Sequence, residues 1–401
     1  MAHGNAGYGA CTRASRWLAA LLVLAVAAMP PLVGSARAPQ PVPALDPAAT
    51  SAQLLGAAER YRELAKDWQP MAEGEALQAG DRDKRVVQLR RLLKLYGDYT
   101  GLPGPVTVAA TDSQRFDSAL EEAVERYQRR HGLHPNGIVA ADTLAELAVP
   151  PTERARQLEL NAKRWKKLSL PREGRYLFIN VPEYQLQLVE KGMVTLRMKT
   201  VVGKTSSRTP TLRTRVTNVV FNPTWTVPRS ILLTDMLPKA RNNPEAMHKR
   251  GYRVVNYGSG NAVPISADGL ARAAGGDATL RQVSGPGNTL GRVKFVMPNR
   301  QSIYLHDTQA QSLFELHERA FSHGCVRLQH PEELAYALLR PQGWDRPRVA
   351  QATTGDEPLN IRIERPPRLF ITYLTAWVDA NGRPHFRRDI YHHDTDSAAT
   401  N

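Results

Sequence analysis

Residues 175–189 read RYLFINVPEYQLQLV, and this stretch decides the fold class of the larger part of the chain. Apolar and polar side chains alternate along it, and the alternation returns over residues 194–202 after a Lys191-Gly192 turn. A period of two residues is typical of β-strands that bury one face. Further strands are predicted at 215–221, 292–297, 302–306, 369–377 and 385–391, the last two forming a hairpin about Asn381-Gly382. The C-terminal part is therefore predicted to be mainly β, with one short helix at 331–340.

The N-terminal part has helical periodicity instead. A first helix is predicted over residues 50–67, and three more follow in a unit that spans residues 75–150. These three helices cover Asp83–Leu95, a segment opened by a capping box at Ser118 and ended by Gly132, and Thr143–Leu147. A basic linking helix at 152–168 leads into the β domain. The sequence thus predicts a small all-α three-helix domain ahead of a mainly β domain.

The first 38 residues have the layout of a secretion signal. Arg13 and Arg16 precede an almost wholly apolar run, residues 17–33, and small residues follow up to Ala38. This order of positive, apolar and small-residue regions is typical of a cleaved signal peptide. The alternative is an uncleaved membrane anchor through residues 17–33, a run slightly shorter than the roughly 20 residues that a spanning helix needs. Both interpretations predict that the rest of the chain works outside the cytoplasm.

The chain is strongly basic. Its formal net charge is +15, and loss of Arg13, Arg16 and Arg37 with the signal would lower that by three, to +12. Such a protein attracts polyanions. Export disfavours nucleic acid as the partner and favours an anionic cell-wall polymer or lipid head groups. The alternative is that the charge serves solubility alone.

Cys325 is the one cysteine that remains after the predicted signal, because Cys11 lies within it. A single thiol cannot form an internal disulfide, so Cys325 is either an inert core residue or a reactive group. Four histidines are near it in sequence, His306, His317, His323 and His330. His306 shares a strand face with Tyr304 at a strand end and is the preferred base for the thiol. His317 and His330 are expected at the surface.

The segment Ser322-His323-Gly324-Cys325-Val326-Arg327 offers two further functions. The main-chain N–H groups of Gly324 and Cys325 can point at a developing oxyanion, with His323 shaping the site. Arg327 lies on the same side as Cys325 if the segment is extended, where it can hold a substrate carboxylate or lower the thiol pKa. A structural ion pair is the alternative for Arg327.

His306 followed by residues 322–327 is similar to the active-site signature of the L,D-transpeptidases. Other segments resemble the large-lid branch of that family, namely 221–228 (FNPTWTVP), 286–295 (PGNTLGRVKF), 303–308 (IYLHDT) and 371–378 (ITYLTAWV). The helical unit resembles a three-helix peptidoglycan-binding domain, most clearly at 119–124 (ALEEAV) and 127–133 (YQRRHGL). The resemblance covers residues 75–392.

The resemblance implies a cysteine-dependent acyltransferase of peptidoglycan metabolism. Such an enzyme attacks the bond between the third residue of a stem peptide, a diamino acid, and the following D-Ala. It releases D-Ala and passes the acyl group from a thioester to another stem, which forms a 3→3 cross-link. Carried onto this chain, the catalytic residues are Cys325 as nucleophile, His306 as base, and His323 and Gly324 in the oxyanion region. The substrate-binding residues are Arg327, Tyr304, Trp225 and Ser322.

The resemblance also implies the domain organisation and the cellular setting. After the signal at 1–38, the expected parts are a linker and helix at 39–74, a peptidoglycan-binding domain at 75–150, a linking helix at 151–170, a catalytic domain at 171–392 with a lid at 229–285, and a tail at 393–401. No metal or organic cofactor is expected. The protein is expected in the periplasm at the cell wall, with peptidoglycan and other wall-synthesis enzymes as partners, a role in cell shape, and carbapenems as inhibitors.

Several alternatives stay open at this point. A zinc site from His306, His323, Cys325 and His330 would lack the usual Cys-x-x-Cys pair. Papain-like proteases carry their histidine after the cysteine, and the flanking segments do not support a sortase-like enzyme. A non-catalytic wall-binding protein conflicts with the His306 and Cys325 pair, and a DNA-binding protein conflicts with export. Within the transpeptidase hypothesis the acyl acceptor is open among a diamino-acid amine, a lipoprotein, a free D-amino acid and water, the last giving an L,D-carboxypeptidase.

Overall fold

A computed structural model describes residues 42–99 and 114–395 of the protein. The predicted signal at 1–38, with Cys11, lies outside these residues, as does most of the loop at 97–115. Within the described ranges, no helix has the length and apolar character needed to cross a membrane.

Helices dominate the N-terminal part and the region between the main strands. The described α-helices are α1 (Pro47–Leu64), α2 (Arg85–Leu95), α3 (Ser118–Arg130), α4 (Ala141–Leu147), α5 (Pro151–Lys166), α6 (Arg229–Ile231), α7 (Leu237–Asn242), α8 (Pro244–Lys249), α9 (Ala267–Gly275), α10 (Pro331–Leu339) and α11 (Arg346–Thr353). A π-helical turn, Leu232–Met236, joins α6 to α7. Short 3-10 turns lie at Val181–Glu183, Gln311–Glu315 and Arg340–Gln342.

Strands make up most of the chain after residue 174. They are β1 (Val42–Pro43), β2 (Arg175–Asn180), β3 (Gln185–Glu190), β4 (Met193–Gly203), β5 (Leu212–Arg215), β6 (Asn218–Phe221), β7 (Trp225–Thr226), β8 (Tyr252–Asn256), β9 (Ala262–Val263), β10 (Ala278–Gln282), β11 (Val293–Val296), β12 (Leu305–His306), β13 (Ala320–Ser322), β14 (Val326–Leu328), β15 (Leu359–Arg362), β16 (Arg368–Thr372), β17 (Ala376–Val378) and β18 (Pro384–Phe386). The C-terminal part is mainly β and the N-terminal part helical, as the sequence predicts.

The main sheet positions the candidate site. Its strand order is β15-β6-β11-β12-β14-β4-β3-β2-β16-β5, and β1 and β13 also pair with β4. β12 and β14 run parallel, so their side chains advance together along the same direction. β11 flanks β12 on its other side and runs antiparallel to it. These three neighbouring strands therefore present one shared face to the site.

The opposite face of these strands is anchored in a hydrophobic core. Phe295, Leu305 and Val326 are fully buried there, one from each of β11, β12 and β14, and α10 covers them with Leu334 and Leu338. Each such side chain contributes about 1.5–3 kcal/mol through burial. Because side chains alternate between the two faces of a strand, this burial determines that Lys294, His306 and Cys325 point the other way.

The predicted N-terminal helices are present, but the predicted capping box is wrong. The residue that caps α3 is Asp117, whose Oδ1 accepts a hydrogen bond of 2.9 Å from the Leu120 N–H. Asp117 has an extended backbone, at φ −95° and ψ 172°, as an N-cap residue requires, whereas Ser118 is the first helical residue. The cap therefore lies one residue earlier than the sequence pattern indicates.

Two predicted strands are interrupted. Residues 175–189 form β2 and the start of β3, separated by the 3-10 turn at Val181–Glu183. Pro182 lacks a backbone donor and Tyr184 has a positive φ of 55°, so the chain reverses there instead of continuing as one strand. The predicted strand at 369–377 likewise stops at Thr372 and resumes at Ala376 as β17.

The sequence shows no clear strand alternation between residues 228 and 288, but the structure has strands there. β8, β9 and β10 lie in this region and join β7 in a four-stranded sheet of order β7-β10-β8-β9. The sheet shares a separate core with the surrounding helices, including Leu232, Leu237, Val254 and Leu280. Neighbouring residues such as Val254 and Val255 are both buried, so these strands lack the alternation expected of a strand with one wet face.

The helical unit packs against the β domain through the β17-β18 hairpin. Phe386 is fully buried, and its ring centroid lies 5.5 Å from that of Tyr61 and 5.2 Å from that of His131. The Arg130 Nη1 donates a hydrogen bond of 2.7 Å to the Pro384 carbonyl. Aromatic packing and a charge-assisted hydrogen bond therefore hold the two parts together.

Candidate active site

Three adjacent strands arrange the candidate residues in two rows. Leu305 lies opposite Val326 and His306 opposite Arg327 in the parallel β12–β14 pair. On the other side of β12, Lys294 of β11 lies opposite His306. One row therefore consists of Lys294, His306 and Arg327. The neighbouring row, two residues back along β12 and β14, contains Tyr304 and Cys325.

This register changes the expected relation between base and thiol. The sequence predicts that His306 meets the thiol, but the structure places its backbone beside Arg327 and brings Tyr304 alongside Cys325. Among the described residues, no hydrogen bond joins the His306 ring to the Cys325 Sγ. Both side chains nevertheless line the same cavity. The thiol and the imidazole are therefore neighbours on a diagonal of the parallel pair.

Cys325 itself is partly exposed, is not in a disulfide, and has its Sγ 3.9 Å from the Ser302 carbonyl oxygen. Burial raises the pKa of the Cys325 thiol. Hydrogen bonding to the Tyr304 main chain and the positive charge of Lys294 oppose that rise without cancelling it. The Cys325 thiol is therefore neutral near pH 7.

His306 is deeply buried, with 4% of its surface exposed. Burial, and next the positive charge of Arg327, lower the pKa of His306 to about 3. Its Nδ1 lies 2.5 Å from the main-chain oxygen of Asp307, a contact in which the ring N–H donates. The ring is therefore a neutral imidazole near pH 7, which is the protonation state that a general base requires.

The Tyr304 side chain links the lid-side wall to the thiol. Its hydroxyl accepts a hydrogen bond of 3.1 Å from the Trp225 Nε1, and its own proton can be donated to the Cys325 sulfur, with which the side chain hydrogen-bonds. Burial raises the pKa of Tyr304, and the neighbouring Cys325 adds to the rise, so the phenol stays protonated. The Lys294 Nζ lies 4.1 Å from the ring centroid in a cation–π contact.

The conformation of the loop before Cys325 is fixed by a glycine and by the hydrogen bonds of a serine. Gly324 has a φ of +109°, and a Cβ added there would approach the Ile303 Cδ1 to 3.1 Å. The Ser322 Oγ donates to the Cys325 carbonyl at 2.5 Å and accepts from the Gly324 N–H at 3.1 Å. Ser322 was expected to bind substrate, but its hydroxyl is engaged in hydrogen bonds within the loop. The Gly324 N–H, expected at the oxyanion, is likewise already bonded.

His323 faces the lid and not the thiol. Its Nε2 lies 2.8 Å from the Oδ2 of Asp235, a residue of the π-helical turn Leu232–Met236. Such π turns widen a helix locally and are frequent at functional sites. The pair joins the loop at Cys325 to the predicted lid, residues 229–285. Both residues line a cavity with a volume of 260 Å³.

The two remaining histidines lie elsewhere. The His317 ring is exposed and contacts the Gly132 carbonyl of the helical unit, and His330 precedes α10 at the surface. In residues 42–99 and 114–395 no group of three or more His, Cys, Asp or Glu side chains is arranged to hold a metal ion. The four zinc ligands considered from the sequence are thus not assembled.

Two residues of the site were not among the predicted site residues. Lys294 was predicted only as part of a strand, although the alternation over 292–297 places it on the face opposite Val293 and Phe295. Pairing β11 with β12 from that pattern would have identified it. Asp235 had no such signal, because only the folded lid brings it to His323.

Two family models and a curated protein are similar to parts of this chain. Residues 174–343 match the family model of the L,D-transpeptidase catalytic domain, and residues 82–147 match that of the "Putative peptidoglycan binding domain". A Haemophilus influenzae protein named "Putative L,D-transpeptidase" is 35% identical over 243 residues, which are 59% of this chain and 48% of the relative. The chain therefore spans about half the length of this curated relative.

Solved structures are also similar to the chain. One is the L,D-transpeptidase of Xylanimonas cellulosilytica, at 15% identity over 75% of this chain and 99% of the other, with a TM-score of 0.23. Another is that of Stackebrandtia nassauensis, at 13% identity over 76% and 97% of the two chains, with a TM-score of 0.27.

Proposed function

From a chain that carries an L,D-transpeptidase catalytic domain at residues 174–343 and a peptidoglycan-binding domain at 82–147, we propose a specific reaction. The protein transfers the acyl group of one peptidoglycan stem peptide to another through a thioester on Cys325. The products are a 3→3 cross-link and free D-Ala. The observation that carries this proposal is the position of the free Cys325 thiol in one cavity with His306, Tyr304 and Arg327.

The acylation step uses the neutral thiol and the neutral imidazole. The Cys325 Sγ attacks the carbonyl carbon of the third stem residue while His306 takes the thiol proton. The amide bond to D-Ala then breaks, and the same proton passes to the leaving amine. Because both groups are neutral at rest, proton transfer accompanies the attack and does not precede it. The stem peptide in the cavity brings the diagonal pair into contact, since catalytic hydrogen bonds often tighten only with substrate bound.

The oxyanion that forms on the attacked carbonyl needs donors. Since the Gly324 N–H is bonded to Ser322, the available donors are the Cys325 N–H and the Tyr304 hydroxyl. Trp225 supports this role because its Nε1 donates to the phenolic oxygen, which leaves the phenolic proton on the side of Cys325. We assign Tyr304 a catalytic role, and Trp225 and Ser322 positioning roles.

The second half of the reaction regenerates the thiol. The side-chain amine of a diamino acid on another stem attacks the thioester, and the C–S bond breaks. His306 accepts a proton from that amine and returns it to the thiolate. This acceptor gives the 3→3 link, whereas water in its place would give a shortened stem and no link.

The setting follows from the substrate. Peptidoglycan lies outside the cytoplasm, so the proposed activity belongs to an exported protein associated with the cell wall. The peptidoglycan-binding domain and its packing against the hairpin at Phe386 keep the catalytic domain close to the polymer. Wall association and catalysis are therefore separable by substitution at Cys325.

Product analysis tests this function. The protein is incubated with purified tetrapeptide muropeptides, and the products are analysed by mass spectrometry, alongside binding to purified sacculi. The native protein should yield dimers that have lost one D-Ala, whereas Cys325→Ala should yield none and still bind sacculi. Dimers made by Cys325→Ala would exclude the nucleophile. Tripeptides without dimers would indicate the carboxypeptidase, and sacculus binding without turnover would indicate a wall-binding protein.

A further inference from the structure

The charged groups around the cavity at Cys325 are unevenly balanced. Three of its lining residues are cationic, Lys239 and Arg250 from the lid and Arg327 from β14. A single lining residue carries a carboxylate, Asp235, and it is already paired with His323 at 2.8 Å. The cavity therefore has an excess of positive charge.

None of the three cations has an acidic partner among the described residues. The Arg327 side chain makes no described hydrogen bond, and its Nε is buried without an acceptor. A buried donor with no acceptor destabilises a protein, so such groups are found where a ligand supplies the acceptor. Arg327 thus indicates a missing anionic ligand inside the cavity.

Lys239 and Arg250, the two lid cations, extend the positive charge toward the mouth of the cavity. Lys239 lies on α7 and Arg250 follows α8, and both side chains are exposed. The Arg250 guanidinium packs over the Tyr252 ring at 5.9 Å from its centroid, which orients it without neutralising it. A contrast is Lys249, one residue earlier, which pairs with Glu245 at 2.7 Å and does not line the cavity.

We propose that Lys239, Arg250 and Arg327 form a carboxylate-binding wall, and that the enzyme selects stem peptides with free carboxylates over amidated ones. This inference rests on the proposed function, since it names the chemistry of the stem that Cys325 attacks. Arg327 binds a carboxylate inside the cavity, and the lid cations bind those that remain at its mouth. Guanidinium and ammonium groups form short, charge-assisted hydrogen bonds with carboxylates and weaker ones with neutral amides.

The test compares two matched substrates. One is a disaccharide tetrapeptide with free carboxyl groups at its second and third residues. The other is the same muropeptide amidated at those two positions, with its C-terminal D-Ala carboxylate kept. The native full-length protein should show a kcat/KM on the order of tenfold higher for the free stem, as charge-assisted hydrogen bonds predict.

The variants Lys239→Gln and Arg250→Gln locate the effect. Each should lower kcat/KM for the free stem on the order of three- to tenfold, chiefly through KM, and leave the amidated stem nearly unchanged. Lys249→Gln is the matched control and should keep the native preference. The preference of the native protein should also weaken as ionic strength rises, because salt screens exposed charges beyond about 8 Å at physiological concentration.

Two results would overturn the proposal in distinguishable ways. Equal use of both stems by the native protein, with both lowered alike in the lid variants, would remove the carboxylate preference and leave the proposed function intact. Turnover of neither stem by a folded native protein would remove the proposed function and this inference together.

Discussion

The buried neutral His306 makes the stability of the protein depend on acid in a way that can be calculated. Its pKa is about 3 in the folded chain and about 6.5 when the chain is unfolded. Between about pH 3 and pH 6.5, the His306 ring is therefore protonated in the unfolded chain and neutral in the folded one. Protonation favours unfolding, so the stability linked to the neutral ring is fully present above about pH 6.5 and falls as the pH drops toward 3.

The size of this effect follows from the shift. At pH 4 the unfolded ring is protonated and the folded ring is still neutral. The difference between pH 6.5 and pH 4 is 2.5 pH units, which corresponds to about 3 kcal/mol of unfolding free energy at roughly 1.36 kcal/mol per unit. Other groups also titrate over this range, so the contribution of His306 has to be isolated by difference.

The assay is urea denaturation of the native protein and of His306→Asn at pH 7 and at pH 4. Asparagine keeps a donor near the Asp307 carbonyl but cannot take up a proton. The native protein should lose about 3 kcal/mol more than the variant between the two pH values. An exposed histidine outside the cavity, His330, provides the control as His330→Asn, which should lose as much as the native protein.

An equal loss in the native protein and His306→Asn would refute the reasoning. It would mean that His306 takes up a proton as readily in the folded protein as in the unfolded one. The strong lowering of its pKa by burial would then be wrong.

Two further substitutions test the nucleophile loop and the lid. Gly324→Ala places a Cβ on a residue with a φ of +109°, at 3.1 Å from the Ile303 Cδ1. It should lower the free energy of unfolding by about 1–3 kcal/mol in a denaturation experiment, and lower turnover by shifting Cys325. Native stability and turnover in this variant would show that the loop tolerates a side chain. Asp235→Asn weakens the 2.8 Å contact with His323, a pair about one third exposed, so it should loosen the proposed lid by at most about 1 kcal/mol and raise KM up to fivefold. An unchanged KM with native stability would show that this contact does not hold the lid.

The mainly β and helical parts could be predicted from periodicity, and Cys325 could be chosen as the candidate nucleophile because it is the one cysteine after the predicted signal. Cys325, His306 and Arg327 all line one cavity, as their proximity in the signature indicates. Strand pairing could not be predicted from the sequence, because the register of a parallel pair depends on which strands become neighbours in the fold. The placement of Tyr304 beside Cys325, and of Lys294 beside His306, follows only from that pairing.

The predicted lid, residues 229–285, was the region whose structure was least predictable. Its strands β8 and β10 are buried on both faces, so the alternation that revealed β2 and β3 is missing there. The contact of Asp235 with His323 joins residues 88 positions apart, and neither carries a local signal of the other. The Ser322 hydroxyl is buried and hydrogen-bonded within its own loop. The sequence could not predict this, because a buried and an exposed serine look alike in a sequence.

The central claim is that the stem peptide passes through a thioester on Cys325. Intact-mass spectrometry of the full-length protein, quenched in acid after brief exposure to a tetrapeptide stem whose acceptor amine is blocked, measures this directly. The native protein should gain the mass of the stem that has lost D-Ala, on a peptide containing Cys325, and Cys325→Ala should gain nothing. Release of D-Ala by the native protein with no adduct at any quench time, or the same adduct on Cys325→Ala, would contradict the claim.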